Sequence, residues 1–157
     1  MDNEELERIV HTYGGSIYRL AYARTGSHAD AQDVMQETFL RLVRTGPDFA
    51  SETHCKAWLL RVAANCVSDV FRSPWHHAQP LSEGTPAPAQ PEEGGVLEAV
   101  LSLPAKYRLP VHLYYYEGLT VAEIGEILGK SESVIKTRLF RARGMLRLEL
   151  EGEKERV

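Results

Sequence analysis

Five of the eight prolines crowd into Pro74–Gly95, together with Gly84, Gly94 and Gly95. Proline lacks the amide donor and clashes with the preceding turn, so no helix runs through such a stretch, and few of its residues can build a core. It reads as a flexible linker over 74–95, separating a first domain over 1–73 from a second over 96–157. In a chain of 157 residues, each domain buries only a modest core and is marginally stable alone. Neither flank shows sustained strand alternation or an Asn-Gly or Asp-Gly hairpin signal. The expected fold class is all-α: two small helical domains joined by a flexible linker.

In the first domain the periodicity predicts helices over Glu4–Arg24, Ala29–Arg44 and His54–Arg72. Ser27 with Asp30 can cap the second, Gly46-Pro47 ends it, and Gly14-Gly15 should weaken or break the first near its middle. In the second domain helices are expected over Val96–Ser102, Pro104–Glu117, Val121–Leu128 and Glu132–Leu150. Pro110 lies too deep in its helix to be a harmless first-turn proline, so a kink is expected there.

The sharpest local signal lies at the C-terminal end. Thr120-Val121-Ala122-Glu123 is a capping box, and Val121, Ile124, Ile127 and Leu128 form one apolar face. Gly129 stands where a left-handed residue ends a helix, and Ser131 can cap the next. Two helices joined by so short a turn cross steeply, and Gly125 supplies the small residue at the crossing. On the following helix Ile135, Leu139, Ala142 and Leu146 make the inward stripe. Ser133, Thr137, Phe140, Arg141 and Gly144 lie opposite, with Lys136, Arg143 and Arg147 on one flank and Arg138 on the other. That is the layout of a DNA-reading helix-turn-helix: basic flanks for phosphates, outward Thr, Phe and Arg for base edges. An ordinary helical hairpin with a solvated basic face is the alternative.

The net charge of −4 argues against nucleic acid only as an average. From Lys130 to Leu148 six basic residues face Glu132 alone, a local +5 (six minus one), and DNA sees only the surface that docks. In the first domain, Asp33, Gln36, Glu37, Leu40, Arg41 and Arg44 share the polar face of the second helix. Leu40 sits at its middle as an apolar centre with a charged rim, the anatomy of a protein interface, although a single stray exposed leucine would look the same. Trp58 on the third helix is either buried with its N–H partnered or exposed and able to stack on an unpaired base.

Several classes are excluded. Cys55 and Cys66 on one helix stand roughly 16 Å apart, beyond disulfide reach, and read as thiols in a reducing cytoplasm. His76-His77 has no carboxylate or cysteine at a spacing that would complete a metal site, so no metal is expected. No apolar run reaches the ~20 residues of a membrane span. Phosphate-binding glycine loop, HExxH and GxSxG are all missing, which argues against an enzyme.

Three segments together resemble a known family. Asp30-Ala31-Gln32-Asp33-Val34-Met35-Gln36-Glu37-Thr38-Phe39-Leu40-Arg41 is similar to the core-polymerase-binding segment of the extracytoplasmic-function (ECF) sigma factors of bacterial RNA polymerase. Ala57-Trp58-Leu59-Leu60-Arg61-Val62-Ala63-Ala64-Asn65 resembles the family's stretch that melts and reads the −10 element. Leu103-Pro104-Ala105-Lys106-Tyr107-Arg108, then Tyr116-Glu117-Gly118-Leu119-Thr120 and the run to Arg147, resemble its −35-reading domain. The resemblance covers nearly the whole chain outside the linker, which is too short for the middle domain of larger sigma factors.

The resemblance implies roles by position. Asp33, Gln36, Glu37, Leu40 and Arg41 would meet the clamp helices of the polymerase's largest subunit. The loop around Phe49 and Ser51, with Asn65, would capture a base flipped from the non-template −10 strand, and Trp58 and Arg61 belong to the same −10 segment. Lys136, Thr137, Phe140 and Arg141 would read the −35 element, with Ser133, Arg138 and Arg143 on phosphates. Gly125 replaces the alanine usual at the crossing, at about 1 kcal/mol in helix propensity. The implied partners are core RNA polymerase and promoter DNA in the cytoplasm, with an anti-sigma factor usual in the family. No cofactor, small-molecule substrate, catalysis or membrane insertion is implied. A promoter-binding regulator with the same C-terminal hairpin but a sensory first domain is the competing reading. The face around Leu40 separates the two, since such a regulator has no use for it.

Overall fold

The computed structural model describes residues 2–72 and 94–155, with side chains described over 2–69 and 97–147. Among them all regular structure is helical, and it falls into two compact units. The first holds α1 (Asn3–Thr25), α2 (His28–Thr45) and α3 (Glu52–Arg72), each packed on the other two. The second holds α4 (Gly94–Ser102), α5 (Ala105–Val111), a π-helical turn (His112–Tyr116), α6 (Val121–Leu128) and α7 (Glu132–Glu155). Most of the proline-rich segment, with Trp75, His76 and His77, lies outside the described residues. Gly94 and Gly95, read as linker, begin α4 instead.

α1 starts where the Asp2 carboxylate accepts from Glu5 N at 2.8 Å and ends at Gly26 in the left-handed region. The break expected at Gly14-Gly15 does not occur: α1 runs straight through. Ile9, Tyr13, Ile17, Leu20 and Ala21 bury against the other two helices, and that burial outweighs a propensity cost of about 1 kcal/mol per glycine. Gly14 itself is buried beside the tip of Met35.

α2 begins as the sequence indicates, with Ser27 Oγ accepting from Asp30 N at 3.2 Å, and ends at Gly46. Its buried stripe is Ala31, Val34, Thr38 and Leu42, whereas Met35 and Phe39 are only half-buried. Thr38 is tolerated inside because its hydroxyl donates to the Val34 carbonyl at 2.7 Å. α3 starts two residues before the predicted His54. Ser51 Oγ accepts from His54 N at 3.1 Å, satisfying one of the orphan donors of the first turn. Glu52 then ties α3 to α1: it meets Arg8 at 3.0 Å and accepts a short hydrogen bond from the Tyr13 hydroxyl. Burial first, and the Glu52 bond second, push the Tyr13 phenol up to about 12.

In the second unit the single kinked helix predicted over Pro104–Glu117 is instead a short α-helix followed by a π-helical turn. Pro110 cannot donate to the carbonyl one turn back, and two residues later the winding widens. Glu117 N donates to His112 O at 3.2 Å and Leu119 N to Leu113 O at 3.0 Å. Arg108 lies half-buried under the end of α4, donating from Nε to Leu103 O at 2.9 Å and from Nη2 to Leu101 O at 3.0 Å. Burial lowers its pKa, but a guanidinium stays charged in that setting, and a cation suits carbonyls at a helix C-terminus. Leu103, Tyr107, Leu113, Ile124, Ile135, Leu139 and Ala142 form the core beneath.

Among the described residues no helix is long and apolar enough to cross a membrane, and no cluster of three metal-ligating side chains occurs. Cys55 and Cys66 are free and buried.

Candidate nucleic-acid interface

The turn between α6 and α7 has the local chemistry expected of it. Thr120 Oγ1 accepts from Glu123 N at 3.1 Å, while Glu123 Oε1 accepts from Thr120 N at 3.0 Å. Gly129 takes φ +67°, and Ser131 Oγ accepts from Val134 N at 3.2 Å to open α7. The crossing is tighter than helix propensity suggested. A Cβ on Gly125 would stand 2.7 Å from the Lys130 carbonyl oxygen, so glycine here is a steric requirement of this turn, not a tolerated loss.

α7 is thereby held with Ile135, Leu139 and Ala142 inward and its other faces in solvent. Ser133, Lys136, Thr137, Phe140, Arg141 and Arg143 are exposed, and Arg138 is half-buried. Phe140 is 75% exposed, the largest value among the exposed large hydrophobic residues. Lys136, Thr137, Phe140 and Arg143 come together on the rim of one shallow groove of about 390 Å³. Ser133, Arg138 and Arg141 lie outside it. Sequence reasoning missed Tyr114 and Val121, which complete the groove, and Tyr115. Arg143 Nε donates to the Tyr115 hydroxyl, and its guanidinium lies 5.7 Å from the centres of both the Tyr114 and Tyr115 rings. The Tyr115 bond, more than any other contact, holds the Arg143 charge above its ordinary range. The run Tyr114-Tyr115-Tyr116 was a visible signal, but which tyrosines reach α7 depends on the π-helical winding.

In the first unit two further surfaces form. Asp33, Gln36, Glu37, Leu40 and Arg41 all line one groove of about 350 Å³, completed by Cys66 and Asp69 from α3. Leu40 is 41% exposed, and Val43, one turn on, is 58% exposed and was missed. Arg41 bridges the two helices, with Nε to Glu37 at 3.3 Å and Nη2 to Asp69 at 3.6 Å. Arg44 adds a longer contact to Glu37 at 3.8 Å.

At the start of α3 the Phe49 ring sits edge-on against His54 (5.4 Å) and Trp58 (5.8 Å). Trp58 is half-buried, between the two alternatives the sequence left open, and Arg61 and Asn65 follow it on the same exposed face. Phe49 and Trp58 are brought together; Ser51 and Asn65 are not. Ser51 precedes α3 and caps it, whereas Asn65 lies about 20 Å further along the helix axis at 1.5 Å per residue. The two form a strip, not one pocket.

Comparison with known proteins now bears on these surfaces. The family model described as Sigma-70 region 2 matches residues 9–76, and that described as Sigma-70, region 4 matches residues 94–146. The ECF RNA polymerase sigma factor SigW of Bacillus subtilis is 31% identical over 169 aligned positions, covering 95% of this chain and 90% of SigW. The ECF RNA polymerase sigma factor BldN of Streptomyces coelicolor is 32% identical over 86% of this chain, which spans only 56% of BldN. Among solved structures, the sigma factor RpoE in complex with the anti-sigma factor NepR from Bartonella quintana matches with a TM-score of 0.76 and 20% identity. That match covers 94% of this chain and 98% of RpoE, and it is a likeness of fold.

Proposed function

Since the chain belongs to the ECF RNA polymerase sigma factors, we propose that its two units divide promoter recognition between them. A sigma factor of this group binds core RNA polymerase and directs it to promoters, and it is not an enzyme. Residues 1–73 serve as sigma domain two, 74–95 as the linker and 96–157 as sigma domain four. The two family matches, over 9–76 and 94–146, support the division into two domains, with 77–93 matched by neither and Gly94 and Gly95 already in α4.

In this reading the α2–α3 groove receives the polymerase. Leu40 supplies the apolar centre, with Asp33, Gln36, Glu37 and Arg41 as its polar rim. The Arg41 bridge to Asp69 fixes the rim before binding, so less side-chain freedom is lost on docking. The strip from Phe49 and Ser51 past Trp58 and Arg61 to Asn65 meets the melted −10 strand. Its length suits successive nucleotides, with the Phe49–Trp58 aromatic pair as a stacking platform. On α7, Lys136, Thr137, Phe140 and Arg141 face base edges of the −35 element, and Ser133, Arg138 and Arg143 face phosphates. An anti-sigma factor is a further partner, by analogy with RpoE, and the site of action is the cytoplasm.

The observation that carries this reading is Phe140, exposed in the middle of a row of cations that meet no carboxylate among the described residues. An apolar ring in that position suits a thymine methyl. Run-off transcription with core polymerase on a genomic promoter pool tests it. Specific initiation that depends on the chain is the expected result. No specific initiation, together with tight footprinting of duplex DNA by the chain alone, would favour the promoter-binding regulator.

A further inference from the structure

The π-helical turn has a geometric consequence for α7. In an α-helix consecutive side chains diverge by about 100°, so neighbours seldom serve one target. Here the neighbours Tyr114 and Tyr115 both reach Arg143, their ring centres each 5.7 Å from its guanidinium. Tyr115 also accepts a hydrogen bond from Arg143 Nε. A guanidinium has three nitrogens bearing hydrogen. Nε bonds the Tyr115 phenol and the guanidinium makes a weaker interaction with the Tyr114 hydroxyl, which leaves N–H bonds of the terminal amino groups to meet a phosphate. The Tyr115 hydroxyl, accepting from Arg143, keeps its own proton to donate. Tyr115 is 52% exposed and Arg143 is exposed, so both are open to a ligand. Next to them, Lys136, Thr137 and Phe140 line the groove shared with Tyr114 and Arg143.

We propose that Tyr115 is a positioning residue for promoter binding: through its bond to Arg143 Nε it fixes the arginine fork against one phosphate beside the −35 surface. The inference rests on the assignment of α7 to −35 recognition. It adds to that assignment a residue outside the helix-turn-helix and a reason for the π-helical turn. The turn spends regular helical hydrogen bonding to bring Tyr115 into register with α7, as such turns commonly do at functional sites.

The test is a double-mutant cycle on holoenzyme, the full chain with core polymerase, binding promoter DNA across a salt series. Tyr115→Phe keeps the ring and removes only the acceptor oxygen. It is expected to weaken binding about five-fold, within the usual range for coupled contacts, with the melting temperature unchanged. Arg143→Ala should weaken binding further and reduce the slope of log K against log salt by about one, as loss of one phosphate contact requires. In the Arg143→Ala background Tyr115→Phe should then have no effect. Arg143→Lys, which keeps the charge but cannot bond Tyr115 through Nε while presenting a fork, should mimic Tyr115→Phe. An equal loss from Tyr115→Phe in both backgrounds, or no loss in the parent, would overturn the proposal while leaving the −35 assignment standing. Parent holoenzyme whose binding ignores the −35 sequence would overturn both.

Discussion

The two units handle charge in opposite ways. In the three-helix unit, the charged side chains near the groove are tied to one another: Arg41 to Glu37 and Asp69, and Arg8 to Glu52 at the other end. On α7, Lys136 and Arg141 stand in solvent with no carboxylate partner among the described residues. Exposed ion pairs contribute little stability, so the first arrangement is better understood as geometry than as glue. A partner protein with its own fixed side chains needs a rim that is already in place. A polyanion needs cations that have not been neutralised, because binding is driven by displacing counterions from its phosphates. The chain is acidic on average, yet Lys136 and Arg141 on α7 carry no carboxylate partner among the described residues.

The contrast can be broken most directly at Leu40. Leu40→Asp places a charge at the centre of the groove and is expected to weaken core-polymerase binding about a hundredfold, the scale of a central interface residue. Binding of the second unit to −35 DNA should not change; a parallel loss there, read by fluorescence anisotropy on both ligands, would merge the two surfaces into one. The converse is Arg141→Ala, expected to cost roughly 1–3 kcal/mol in −35 discrimination with core binding intact, measured as the affinity ratio between cognate and single-base-changed promoters.

Glycines sharpen the comparison at the level of stability. Gly125→Ala drives a Cβ to 2.7 Å from a backbone oxygen and should destabilise the second unit by about 1–3 kcal/mol. Gly14→Ala meets only Met35 and Phe39 side-chain atoms at 3.9–4.0 Å, ordinary contact, so propensity decides and the first unit gains about 0.5–1 kcal/mol. Thermal melts of the two variants should move in opposite directions. The smallest expected effect is a pH dependence. Hydrogen bonds from Tyr13 and Arg8 lower the Glu52 carboxyl below its ordinary 4.5. The stability they contribute is present above 4.5 and is lost as pH falls through that value to the lower folded one. Glu52→Gln should flatten the acid limb of the first unit's melting profile by lowering stability slightly at neutral pH, with the acid end little changed.

What was legible in the sequence was local. The capping box, Ser27, Gly46, Gly129, the buried stripe of α7 and the exposure of Phe140 and Leu40 each depend on residues within a turn or two. The unbroken α1 was not legible, because tertiary burial of Ile9, Tyr13, Ile17 and Leu20 decides against the glycine pair. The meeting of Asp69 with Arg41 was not legible either, since it takes the packing of α3 on α2. Tyr115 was hidden for a subtler reason: an α-helical register for residues 104–117 gives no cause for two adjacent tyrosines to share one target, and one wide turn changes that. The separation of Ser51 from Asn65 follows from the rise along α3 and was already within reach of the predicted helix over His54–Arg72.

The two cysteines carry a practical consequence. Cys55 and Cys66 are the only thiols in the chain, both lie on α3, and they are 2% and 3% exposed. Burial raises both pKa values, which suppresses the thiolate that reacts with alkylating reagents. Alkylation of Cys55 must therefore wait for α3 to lift away from its neighbours, while Cys66, 3% exposed along the α2–α3 groove, needs only a local opening there, and nothing in the second unit can react in this way. The native chain thus carries its own clock for the opening of one half alone, and adding core polymerase to an alkylation time course would time how far the groove's occupant keeps that half shut.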